Sequence, residues 1–200
     1  MTYKSKQQVK NNIKPNRKEL AFLELSYNRF YDLFEKLESN KNNLSSEKKF
    51  SLLKNIFQIY NECLRYEPIQ YFLKVLEIQR PPGENVSLKY FKVIRHIFVH
   101  FPFFDKWNDV YFNRNLIIWS NANSQIDKFL LDNEGKDEFK WRIWDRSKKE
   151  MVYGYCVKFP KDYSKDAKIF LKDLIDEDKG IEISLLIIKK VLESQVESIK

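Results

Sequence analysis

Both histidines of this 200-residue chain fall in one short stretch, Arg95-His96-Ile97-Phe98-Val99-His100-Phe101-Pro102. Imidazole has an unperturbed pKa near neutrality, so either ring can give or take a proton at pH 7, and an arginine carries a permanent charge in a fork that matches a phosphate. Together these residue types suit proton transfer beside a developing negative charge. Pro102 cannot continue a helical hydrogen-bond ladder and Ser87 is a suitable N-cap, so the spacing predicts a helix over 87–101. At about 100° per residue, Leu88, Tyr90, Phe91, Ile94, Ile97, Phe98 and Phe101 gather on a broad apolar face, with Lys89, Lys92, His96 and His100 opposite. The expected site therefore takes Arg95, His96 and His100 as catalytic residues. Lys89 and Lys92, with Arg114 from the next segment, are the expected contacts to a nucleic acid. Arg95 stands about 140° from His100 around an ideal helix, so either the last turn distorts before Pro102 or a second copy of the helix completes the site.

An arginine, four intervening residues and a histidine near a helix end resembles the HEPN family (higher eukaryotes and prokaryotes nucleotide-binding). The signature of that family is Arg, four to six residues, then His. The residue after its arginine is commonly Asn, Asp or His, and here it is His96. The resemblance spans at most 17–133. It implies an antiparallel helical bundle that forms a homodimer with the two motifs facing each other, acting as a metal-independent endoribonuclease. RNA is then the substrate, cleaved by 2′-hydroxyl attack, and many such proteins are toxins or defence effectors, with an antitoxin or other protein as partner. In that reaction His100 takes the acid–base role, its place at a helix C-terminus favouring the protonated form. Arg95 holds the charge on the phosphate, and His96 orients the substrate or shapes the second motif across the dimer.

Two other uses of the same residues compete. His96 and His100 have the spacing of a two-histidine zinc pair, but Ile97 stands where the metalloprotease signature has its glutamate, and a third ligand would have to come from Asp105 or a distant carboxylate. No metal and no other cofactor is therefore expected. From a different class comes a non-catalytic helical module that binds nucleic acid or a partner protein through the same basic face.

Composition bounds these readings. Hydrophobic residues make up 43% of the chain, aromatic residues 16%, and there are only four glycines, which indicates a globular, mainly α fold. A formal charge of +8 and a pI near 9.2 favour an acidic partner, nucleic acid first, although wealth in Lys, Asn, Ile and Phe is equally what an AT-rich genome encodes. Cys63 and Cys156 are far apart, which argues against a disulfide framework and for a reducing compartment. No apolar segment follows the basic start, and no run approaches the roughly 20 residues that span a bilayer, so a cytoplasmic protein without membrane contact is expected. Glycine-rich phosphate loops and nucleophile elbows are missing.

The elements that must position the motif follow from periodicity. Residues 1–18, with six basic side chains and no acid, read as a flexible basic arm. A single domain over 19–200 follows, with a bundle core over 19–133. Helices are predicted from after Asn16 to about Glu38, over 46–64 and over 69–78. The motif helix comes next, then helices over 105–119, capped by Asp105, and 125–131. Alternation then predicts a β-hairpin over 139–159. A C-terminal helical pair follows, over 164–176 and 181–197, separated by Asp178-Lys179-Gly180. The aromatics between Arg95 and Trp119 are expected to be core rather than base-stacking surfaces.

Overall fold

The computed structural model describes residues 15–40, 43–79, 82–119, 124–145 and 148–196. Most of the arm expected at 1–18 lies outside the described residues, and Arg17 and Lys18 already belong to the first helix. The protein is mainly helical, with two antiparallel strand pairs among the described residues. Contacts divide the chain into two compact units, one of 1–80 with 185–200 and one of 81–184.

The first unit contains α1 (Arg17–Ser39), α2 (Ser46–Cys63) and α3 (Glu67–Gln79). A capping box starts α1: the Asn16 side chain accepts from the backbone of Lys18 and Glu19 at 2.9 and 3.0 Å, and Glu19 accepts from the Asn16 N–H at 2.7 Å. Leu23, Phe30, Leu33 and Leu37 recur at helical spacing and are buried, as are Phe50, Leu53, Ile56, Phe57 and Tyr60 of α2, which packs against α1. α3 begins earlier than its predicted start, because Pro68 sits in the first turn, where its missing N–H leaves no ladder bond unmade. The unit is completed by Leu185 onward of the last helix, α8 (Glu177–Val196), whose Glu193 carboxylate accepts a hydrogen bond from the Tyr31 hydroxyl.

The second unit opens with the motif helix, α4 (Pro82–His100). Its start at Pro82 replaces the predicted Ser87 cap, since proline fits the first helical position. After α4 come a 3₁₀ turn (Trp107–Asp109), β1 (Tyr111–Phe112), α5 (Arg114–Ile118) and α6 (Gln125–Asp132). The hairpin of β2 (Glu138–Asp145) and β3 (Glu150–Lys158) forms where alternation placed it, with a register shift between Trp141 and Arg142 that leaves Gly154 as a bulge. Last come β4 (Ile169–Phe170), α7 (Leu171–Leu174) and the first turns of α8.

Two predicted helices are broken by a pairing that local pattern does not reveal. β1 runs antiparallel to β4, Tyr111 opposite Phe170 and Phe112 opposite Ile169. This takes residues 111–112 out of the helix expected over 105–119, and only the short α5, capped by the Asn113 side chain, remains of it. The same pairing takes residues 169–170 out of the helix expected over 164–176, of which only the short α7 remains. Asp166, at φ 58°, also lies in the left-handed region there.

A third correction concerns Asp178-Lys179-Gly180, expected to break the chain between helices and found inside α8. Gly180 serves a close approach rather than a turn: a Cβ there would lie 2.1 Å from Cη2 of Trp107. That indole is fully buried, donates its N–H to the Ile175 carbonyl at 3.1 Å and meets Phe98 edge-on at 6.1 Å, so it has little room to withdraw. Gly180→Ala is therefore expected to destabilise the protein by about 1–3 kcal/mol through overpacking, although alanine is about 1 kcal/mol the better helix former. A lowered urea midpoint would show this; an unchanged or raised midpoint would mean the indole shifts freely.

Candidate functional site

The motif helix is covered on almost every side. Leu88, Tyr90, Phe91, Val93, Ile94, Ile97 and Phe98 are all buried, and the Tyr90 hydroxyl donates to the Lys158 carbonyl at the end of β3. This corrects the two-faced helix read from periodicity, because His96, placed on the solvent strip, is only 7% exposed. Arg95 and Lys92 are half-buried, while Lys89 and His100 are exposed. The His96 imidazole hydrogen-bonds the backbone of Leu116 in α5.

The two imidazoles pack with ring centroids 4.7 Å apart and planes inclined by 47°. Nε2 of His96 is buried without a hydrogen-bond partner. Desolvation first, then the charges of His100 and Arg95, pushes His96 down to about 4, against the opposite pull of the Leu116 bond. Partial burial and then the Arg95 charge also hold His100 below the ordinary histidine value. Both rings are therefore neutral at pH 7. This reverses the expectation of a protonated His100, since burial and a neighbouring guanidinium outweigh the carbonyl end of the helix.

The same directions locate Arg95. Its charge is felt at both imidazoles, so a single chain brings the three residues into one electrostatic neighbourhood despite their angular separation. Arg95→Gln is expected to raise the titration midpoints of both histidines, read from imidazole proton resonances across pH. Midpoints that stay put or fall would remove Arg95 from the pair.

The remaining expected contacts are placed as follows. The Lys89 ammonium sits over the Phe129 ring at 5.4 Å from its centroid. Arg114 is engaged by Asp127 through a two-pronged pair, Nε to Oδ1 at 3.0 Å and Nη2 to Oδ2 at 3.3 Å, and the Tyr163 hydroxyl donates to the same carboxylate at 2.9 Å. Arg114 thereby ties α5 to α6. Asn113 accepts from the Leu116 N–H at 2.9 Å, and Asp166 accepts from the Asn115 N–H at 2.9 Å. These bonds hold α5, and so the backbone that meets His96.

Charge is unevenly shared. Residues 81–184 hold 18 Lys and Arg against 17 Asp and Glu, so most of the +8 belongs to the other unit. Around the motif the balance is nonetheless basic: between Glu84 and Asp105 the charged residues are Lys89, Lys92 and Arg95. Among the described residues no group of three or more His, Cys, Asp or Glu side chains gathers to hold a metal ion. No helix of the described residues is long and apolar enough to cross a membrane.

Sequence reasoning missed two features. One is the Leu116 backbone as partner of His96. The other is a pair of aromatics left in solvent, Phe103 at 79% and Trp119 at 84% exposure, within a stretch read as core. Phe103 could have been singled out, since it follows Pro102 and falls outside the helical period; nothing local distinguishes Trp119 from the fully buried Trp107.

Fold and site together define a mainly helical protein with an arginine and a neutral histidine pair at the end of a buried helix. Comparison with protein-family models, with curated proteins and with solved structures found no match.

Proposed function

We propose that the protein is a metal-independent endoribonuclease of HEPN type, working as a homodimer on a HEPN-like helical frame. The observation that supports this reading best is the meeting of Arg95, buried His96 and exposed His100 at one helix end, with both imidazoles neutral. Neutral His100 takes the proton of a ribose 2′-hydroxyl. The 2′-oxygen forms a bond to the adjacent phosphorus, the bond from phosphorus to the 5′-oxygen breaks, and the leaving oxygen takes a proton from water while protonated His100 returns its own to solvent. A 2′,3′-cyclic phosphate and a 5′-hydroxyl result. Arg95 matches the charge that builds on the phosphate oxygens. His96, fixed to the Leu116 backbone, is a positioning residue for the helix end. A cytoplasmic toxin or defence role, with an antitoxin as partner, is the setting that the resemblance implies.

The test is incubation of the purified protein with a transfer RNA and an unstructured RNA in EDTA, beside His100→Ala, with product ends mapped. Cleavage that leaves cyclic phosphate and is lost in the variant supports the proposal. Intact RNA transfers the protein to the non-catalytic binding class, and cutting only on added metal would make the histidines ligands instead.

A further inference from the structure

We infer that Asp127, a buried carboxylate outside the motif, is the positioning residue of the histidine pair: through Arg114 it fixes α5, whose Leu116 backbone bonds the buried imidazole of His96. The inference deepens the reading above, and rests on it only where RNA cleavage is the readout.

Among the described residues Asp127 is the one buried acid, and the proposed chemistry leaves it unused. Taking a carboxylate out of water is unfavourable unless it is paired. Here its oxygens are engaged by Arg114 at 3.0 and 3.3 Å and by the hydroxyl of fully buried Tyr163 at 2.9 Å. Such a two-pronged pair fixes direction as well as distance. Two residues further along α6, Phe129 meets Tyr90 of α4 edge-on at 5.5 Å. Three joints therefore close a circuit: α4 to α6 through Tyr90 and Phe129, α6 to α5 through Asp127 and Arg114, and α5 back to α4 through Leu116 and His96. Asp166 also holds α5, through the Asn115 N–H, but at an exposed position. Arg114 is the first residue of α5 and Leu116 the third, so a shift at the guanidinium end reaches the His96 bond within one helical turn.

The sign of the response separates positioning from direct electrostatics. Burial holds His96 down first, then the charges of His100 and Arg95 on its own helix, while α5 supplies the opposing Leu116 bond. Losing the negative charge of Asp127 would by itself lower a histidine midpoint. Releasing α5 does the opposite: the imidazole returns to water, and the desolvation so relieved outweighs the Leu116 bond lost with it.

The experiment follows imidazole proton resonances across pH in the full chain, assigned with the help of His100→Ala. Asp127→Asn should raise the His96 midpoint from about 4 by about one unit or more. Arg114→Gln, which leaves Asp127 in place, should raise it in the same direction and carries the test if Asp127→Asn does not fold. Arg114→Lys, which keeps a charge on the carboxylate, should hold the midpoint nearer 4 than Arg114→Gln does. Gly180→Ala, which strains the fold outside these three joints, should leave it at about 4. On RNA, Asp127→Asn should slow turnover by about 10- to 10²-fold with KM little changed, as misplacement of a positioned group does. A His96 midpoint that stays or falls in Asp127→Asn and Arg114→Gln, or rises equally in Gly180→Ala, overturns the inference. A raised midpoint in a protein that cuts no RNA would keep Asp127 as the positioning residue and remove the nuclease. RNA cutting with an unmoved midpoint would do the reverse.

Discussion

His100→Ala is expected to lower RNA cleavage by about 10²–10⁴-fold, the usual contribution of a positioned acid–base group. Stability should change little, because this side chain lies exposed at the last residue of its helix. The pH dependence carries a second signature. Since His100 is held below its ordinary value by partial burial and Arg95, it stays neutral, and able to accept a proton, below pH 6.5, where an unperturbed histidine would be half protonated. The acid limb of the wild-type rate should therefore lie below pH 6.5. Arg95→Gln should weaken cleavage through loss of charge on the phosphate, and should move the acid limb of the residual rate upward. A rate untouched by His100→Ala, or an acid limb above 6.5, would detach this histidine from the reaction.

The largest effect on folding should come from His96. In the folded protein it accepts a proton only near pH 4, whereas in the unfolded chain it does so near 6.5. Above pH 6.5 neither state is protonated and the group is silent. As pH falls from 6.5 towards 4 the unfolded chain binds a proton that the fold refuses, so stability drops by about 1.4 kcal/mol per unit, on the order of 3 kcal/mol across the window. The cause is structural. Protonation would place a charge and a further N–H donor at Nε2, which is buried without an acceptor. Urea unfolding over a pH series should show the slope in the wild type and its loss in His96→Leu, with carboxylate titration left in both at the acid end. Parallel curves for the two proteins would mean that the buried ring takes its proton without opening the fold.

Several elements were legible because their causes lie within a few residues. α1 follows from apolar residues at helical spacing; α2 and the 139–159 hairpin rest on equally local patterns. The histidine pair and its arginine were also legible, as was the proline that ends their helix. What only the tertiary structure decided depends on partners far along the chain. Periodicity marks one buried stripe, so it could not show that His96 is buried and bonded to the Leu116 backbone, which turns a solvent-facing base into one held neutral. The helix expected over 105–119 gave way because Tyr111 and Phe112 find Phe170 and Ile169. Gly180 reads as a break until Trp107 is seen against it. Sequence by itself determined which groups could do chemistry and that helices carry them. Their exposure and protonation were set by desolvation and by charges brought close through folding, which depend on distances in space that spacing along the chain does not encode.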